Sequence, residues 1–236
     1  MAALTEHTLV VPRTARYVTV GGGGDVAEVW LACHGYGQLA ARWARHFAPL
    51  ASPRRLVVVP EGLSRFYLDG ASGRYERVGA SWMTREAREA EIADQVRFLD
   101  DALVAACVAA GADPQAVRLV GFGFSQGTAT VCRWLERSPL AARRDAAAEA
   151  RASRLVLWGG ALPADLDLSA ARPWLSAADL VLVAGDRDAI ATPGRVVAQE
   201  KRLREAGVPY RLVGFSGGHR LNARVLAELA GDTSTA

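Results

Sequence analysis

Serine, histidine and aspartate recur in this chain in an order and at places that suit acyl transfer. The run Gly123-Phe124-Ser125-Gln126-Gly127 sets a serine between two glycines. Residues 117–124 ahead of it are apolar and β-prone, and residues 128–135 after it can continue as a helix. Strand, tight turn and helix in that order make a nucleophile elbow, which raises the serine hydroxyl above the end of a sheet. Gly123 and Gly127 are needed because a side chain at either would meet the neighbouring strand or helix. A glycine-rich loop whose serine only caps a helix is written the same way. Partners elsewhere in the chain must decide.

A serine hydroxyl is a poor nucleophile at neutral pH and needs a base, itself oriented by a carboxylate. Of the four histidines, His7 in an expected first strand and His46 within an expected helix suit packing or surface roles. His34 precedes the serine at a strand end and fits the shaping of a loop. His219, in Gly217-Gly218-His219 between the last strand and the last helix, is the expected base. The order serine, acid, histidine then requires a carboxylate between 125 and 219 at a strand end. Gly185-Asp186-Arg187-Asp188 offers two, and spacing does not choose between them. Asp165, Asp167 and Asp179 are less well placed. A tetrahedral intermediate also needs oxyanion donors. The backbone N–H groups of Gln126 and of Tyr36, in His34-Gly35-Tyr36-Gly37, are the expected pair.

Residues 8–11 and 15–20 read as an antiparallel pair of strands. Residues 26–33 make the next strand, followed by the 34–38 loop and a helix over 39–50. Residues 56–59 are a β-branched run suited to a strand buried on both faces of a parallel sheet. The stretch 61–84 reads as a long irregular loop, which a compact fold keeps for function. Its Leu63, Phe66, Tyr67 and Trp82 either line an acyl pocket or pin the loop to the core. A helix is predicted over 85–110, with Thr84 as its cap and Gly111 as its stop. The segment 143–151 reads as polar surface. Strands at 155–158, 179–184 and 210–213 and helices at 196–206 and 221–230 complete the chain. This is an α/β sandwich of about eight strands, mostly parallel. Residues 159–178 are too few for a cap domain. Ligands bind such sheets at the carboxyl ends of the strands, where Tyr36, Ser125, Asp188 and His219 all fall.

A chain of 236 residues, 50% of them hydrophobic, can bury a full core and reads as one domain over 1–236. The net charge is only +3 and Lys201 is the only lysine. With acidic and basic residues interleaved, no nucleic-acid partner is expected. Cys33, Cys107 and Cys132 lack metal-ligand spacing and suit the core of a protein in a reducing compartment. Residues 1–17 lack the pattern of a secretory signal, and no apolar segment reaches membrane-spanning length. A cytoplasmic protein without stable membrane insertion is expected, with monomer and homodimer both open.

The motifs together resemble the phospholipase/carboxylesterase family of the α/β-hydrolase superfamily, which includes small bacterial carboxylesterases and acyl-protein thioesterases. The resemblance is carried by His34-Gly35-Tyr36-Gly37, Gly123-Phe124-Ser125-Gln126-Gly127, Gly159-Gly160-Ala161-Leu162-Pro163, Gly185-Asp186-Arg187-Asp188 and Gly217-Gly218-His219. It implies an uncapped α/β-hydrolase fold, a catalytic set of Ser125, Asp188 and His219, oxyanion donors at Tyr36 and Gln126, and no metal or organic cofactor. The family's acid ends a Gly-x-x-Asp run, which maps to Asp188. Three positions depart from the family: Thr128 where glycine is usual, Ala184 where histidine is frequent, and Tyr36 where leucine is common. The implied activity is hydrolysis of short- to medium-chain carboxylic esters, with a small-molecule ester as partner. Thioesterase and lysophospholipase activity use the same residues. A catalytically silent binding protein on the same fold is the reading from another class.

Overall fold

The computed structural model describes residues 3–142 and 151–231. The polar segment expected at 143–151 thus lies outside the described residues, Arg151 excepted. That guanidinium donates to the carbonyls of Leu135 and Glu136 at 2.6 and 2.8 Å.

Seven strands form one sheet: β1 (Tyr17–Gly21), β2 (Glu28–Cys33), β3 (Arg55–Pro60), β6 (Arg118–Phe124), β7 (Arg154–Trp158), β8 (Asp179–Gly185) and β9 (Arg211–Phe215). Their spatial order is β1-β3-β2-β6-β7-β8-β9. β1 runs antiparallel to β3, and every other neighbouring pair is parallel. The strand expected at 8–11 is absent: Leu9, Val10 and Val11 lie in an irregular, exposed segment. Residues 17–21 pair with β3 instead, a non-local choice that local β-propensity does not encode.

Alternation sends each buried strand's side chains into two cores. From β2, Val29, Leu31 and Cys33 join the side packed by α2 (Arg88–Ala109), α3 (Gln126–Arg137) and α5 (Leu168–Ala177). Trp30 and Ala32 join the other side, covered by α1 (Ala40–Trp43), the 3₁₀ turn Ala44–Leu50 that follows it, and α7 (Ala223–Gly231). α4 (Pro139–Ala142) and α6 (Pro193–Glu205) add to the first layer through Ala141 and Leu203. The sheet is sandwiched between helices, as the β-branched run at 56–59 requires.

Helix ends differ from the sequence expectation where caps are tertiary. α2 starts at Arg88 after Ala87 in a left-handed conformation, φ 44°. Thr84 does not cap it; its N–H donates to the Glu91 carboxylate at 2.5 Å. Gly111 follows the helix at φ +68°. Residues 159–178, too few for a cap domain, hold α5, which has Pro173 inside it. The Asp167 side chain starts α5 by accepting from the Ser169 and Ala170 N–H groups at 2.9 and 3.3 Å. At the far end of the chain, Arg154 and Arg55 donate to the Leu229 and Ala230 carbonyls of α7 at 2.5 and 2.6 Å. Cations there satisfy terminal carbonyls and oppose the helix dipole.

The stretch 61–84 is not the irregular loop expected. It holds β4 (Ser64–Tyr67) and β5 (Val78–Ser81), an antiparallel hairpin outside the main sheet. No helix among the described residues is long and apolar enough to cross a membrane.

Candidate active site

The order of the parallel strands reverses at one place. From β2 the chain crosses to β3 on one side, while β6 lies on the other. A crevice opens at such a switch point beyond the carboxyl ends of the two strands. The loop after β2 carries His34 to Gln38, and the turn after β6 carries Ser125.

Ser125 has φ 54° and ψ −116° and stands at the N-terminus of α3. Its N–H donates to the Trp158 carbonyl at 2.9 Å. For a residue with a Cβ this backbone is strained, a cost of about 1–3 kcal/mol held by the surroundings. The two motif glycines answer to contact distances. A Cβ on Gly123 would sit 2.5 Å from the Gly127 carbonyl oxygen, and one on Gly127 would sit 2.1 Å from the Cys33 carbonyl oxygen. Both positions exclude any side chain, so strand, helix and the loop after β2 can meet only here.

Three side chains then fall in line. His219 Nε2 is 2.9 Å from Ser125 Oγ, and His219 Nδ1 is 2.8 Å from Asp188 Oδ2. Asp188 is buried, and its Oδ1 accepts from the N–H groups of Ile190 and Ala191 at 2.7 and 2.8 Å. Burial alone would raise this carboxyl, yet the hydrogen bonds from His219 and the two amides hold it below its usual value. Between the two candidate acids the geometry separates the roles. Asp186 is exposed, and its Oδ1 accepts from the Gly217 N–H at 2.8 Å, steadying the loop that carries His219. The Phe124 ring lies against the His219 ring, 4.9 Å between centroids, and Trp158 Nε1 donates to the Arg220 carbonyl at 3.0 Å.

Of the other acids, Asp165 pairs with Arg133 and Arg88, Asp167 caps α5, and Asp179 pairs with Arg154 and Arg211. His7 is exposed outside any strand, and His46 is exposed in the 3₁₀ turn. His34 is fully buried. The Gly62 N–H donates to its Nε2 at 3.0 Å, so the proton sits on Nδ1 and is donated to the Gly35 carbonyl at 2.8 Å. Burial pushes its pKa down and keeps it neutral.

The loop after β2 presents an unused donor. Gly35 N–H donates to Gln38 Oε1 at 2.7 Å and Gly37 N–H to the Ala80 carbonyl at 2.8 Å. Among the described residues nothing accepts from the Tyr36 N–H between them. The Gln126 N–H opens α3, so its own helix offers it no acceptor. The Gln126 side chain holds the β5–α2 junction: Oε1 accepts from Trp82 N–H at 3.2 Å, and Nε2 donates to Ser81 Oγ and the Met83 carbonyl, each at 3.1 Å. Sequence reasoning picked Gln126 for its amide and missed this second use. Thr128 is another omission. Its hydroxyl lies 2.7 Å from the Ser125 carbonyl and 3.0 Å from that of Ala161, tying the elbow to the loop after β7.

The four residues expected to line an acyl pocket separate. Phe66 packs on Tyr36, ring centroids 4.9 Å apart, and Tyr67 is exposed against Tyr75. Trp82 is only 1% exposed, stacks on His34, and donates to the His34 carbonyl at 2.7 Å. It buttresses the loop from behind, and its far side borders the same groove as Leu63. That groove is a different one, beneath residues 8–12 and beside α2. Among the described residues no group of three or more His, Cys, Asp or Glu side chains is arranged to hold a metal ion.

No family model matches the chain, and no curated protein matches it in sequence. Solved structures do. Acyl-protein thioesterase 2 of Zea mays superposes with a TM-score of 0.65 at 18% identity, over 94% of this chain and 98% of that one. A carboxylesterase from Mesorhizobium loti gives 0.64 at 18% identity, over 92% and 95%. The Bacillus cereus carboxylesterase gives 0.63 at 14% identity, over 92% and 94%. With a mostly parallel sheet flanked by helices and a strained serine elbow after β6, the chain has the α/β-hydrolase fold.

Proposed function

We propose that this protein is a serine hydrolase that cleaves carboxylic esters through an acyl-enzyme on Ser125. The observation that carries the reading is the line from Asp188 through His219 to Ser125, at 2.8 and 2.9 Å, ending on a strained elbow. Asp188 accepts from Nδ1–H, which leaves Nε2 as an acceptor for the serine proton. As Ser125 Oγ attacks the acyl carbonyl, His219 takes that proton, and the N–H groups of Tyr36 and Gln126 receive the oxyanion. His219 returns the proton to the leaving alcohol, then takes one from the water that releases the acid.

Short- to medium-chain esters are the substrates in this reading, with the Tyr36 ring of the donor loop against that of Phe66. A thioester or a lysophospholipid can be opened by the same atoms. Residues 1–236 act as one domain in this reading. Labelling with a fluorophosphonate and hydrolysis of p-nitrophenyl esters of rising chain length test it. Ser125→Ala is expected to abolish labelling and lower turnover by about 10⁵- to 10⁶-fold. No labelling of the native protein, and no hydrolysis that depends on Ser125, would leave a silent binding protein as the better account.

A further inference from the structure

A cleft of about 420 Å³ opens between the start of α1 with its 3₁₀ turn and the tip of the β4–β5 hairpin. Gly37 forms part of its wall, one residue along the chain from Tyr36. The wall of the cleft thus includes the residue that follows the proposed oxyanion donor.

Its chemistry is lopsided. Arg42, His46 and Arg77 line it, and one carboxylate, Glu76, opposes them. Among the described residues neither the Arg42 nor the Arg77 guanidinium makes a hydrogen bond or an ion pair, and the Glu76 carboxylate does not engage them. Arg16, Arg55, Arg133, Arg154 and Arg211 hold carboxylates; Arg42 and Arg77 belong to the exposed arginines that do not, and they are the two that share a cleft.

A second observation is independent of charge. Trp43 also lines the cleft, is only 2% exposed, and its Nε1 has no hydrogen-bond partner. Buried donors are nearly always satisfied, and one left over asks for an acceptor that is not protein. Gln199 Nε2 is the other such atom among the described residues, and Gln199 does not line this cleft. Two uncommitted guanidinium groups and a buried, unsatisfied indole N–H on one cleft suit a planar anion with several acceptor oxygens.

We infer that the cleft is a carboxylate subsite, and that the esters this protein prefers carry a second, free carboxylate on the acyl or the alcohol portion. The inference rests on the hydrolase reading for its link to Ser125, but the binding of the anion does not.

Two pairs of substrates and one ligand test it. On the acyl side, the p-nitrophenyl half-ester of glutarate is compared with p-nitrophenyl pentanoate. On the alcohol side, p-acetoxybenzoate is compared with phenyl acetate. For the native protein the charged member of one pair should have the higher kcat/KM. In Arg42→Ala/Arg77→Ala the charged-to-neutral ratio in that pair should fall about 10- to 100-fold, the value of losing charge-assisted hydrogen bonds. The pair that responds identifies which portion bears the anion. Free glutarate should also bind Ser125→Ala by calorimetry, and the two arginine substitutions should remove that binding. A ratio that does not move in either pair overturns the subsite, as does glutarate binding that survives the double substitution. If no ester is cleaved and Ser125 resists labelling, the hydrolase reading fails, and the glutarate titration alone decides the cleft.

Discussion

Asp188 meets His219 with one oxygen and two backbone amides with the other, while Asp186, two residues earlier, is exposed and holds Gly217. Substitution should separate them. Asp188→Asn is expected to lower kcat by about 10⁴-fold, since the amide cannot keep the imidazole in the required tautomer. Asp186→Asn keeps an acceptor oxygen for Gly217 and should cost less than about tenfold. Comparable losses in single-turnover kinetics would reverse the assignment. Because hydrogen bonds hold the Asp188 carboxyl below its usual value, its own protonation should not limit activity until pH falls under the ordinary carboxylate range. The sequence made Ser125 and His219 legible because both sit in glycine-framed turns whose spelling reflects contact distances. It could not choose between Asp186 and Asp188 on spacing, since which one reaches His219 depends on how the turn after β8 folds back. The side-chain duties of Gln126 and Thr128 were hidden for a related reason: both bond to residues more than thirty positions away.

The hairpin is the element that a pattern of alternating residues failed to announce. Gly79 and Ala80 are small because β5 lies against the donor loop: Gly37 N–H donates to Ala80 O at 2.8 Å, and Ala80 N–H to Gln38 O at 3.2 Å. A Cβ on Gly79 would come within 2.5 Å of the Gly37 carbonyl oxygen. Tertiary proximity selected those residues, and selection for smallness erased the strand signal. The same bonds hold the loop that carries the Tyr36 N–H. Gly79→Val should therefore push the hairpin off the loop and slow acylation by about 100-fold, the typical cost of losing one oxyanion donor. Stopped-flow labelling with a fluorophosphonate reads this directly. A variant that folds and labels at the native rate would remove the hairpin from the proposed oxyanion site. Strands β3, β6, β7 and β8, by contrast, were readable within a residue or two. Each is a run buried on both faces, so its composition alone betrays its place in the sheet.

Across the molecule, two buried groups outside the serine site, His34 and Glu61, shape how stability answers to acid. His34 is held neutral by burial. Above about pH 6.5 folded and unfolded chains are both neutral at this residue. Below it only the unfolded chain takes up the proton, so stability falls by up to about 1.4 kcal/mol per pH unit. Glu61 acts later. Burial would raise its carboxyl, but Arg16, Arg65 and the Ala40 N–H hold it below its usual value. Its contribution is complete above the ordinary carboxylate pKa and is lost as pH falls through the lowered one. Urea midpoints measured from pH 8 to 3 should thus decline in two stages, and His34→Asn should flatten the first. A first stage that persists in that variant would place its origin elsewhere.

The twist at Ser125 has one more consequence. At φ 54° and ψ −116° any residue with a Cβ is uncomfortable, and glycine is not. Ser125→Gly should melt later than the native protein, by an amount worth about 1–2 kcal/mol, while losing all labelling by fluorophosphonate. If the elbow carries no strain, the two melting curves will coincide. Otherwise a sturdier molecule lies one substitution away from this one, and it is inert.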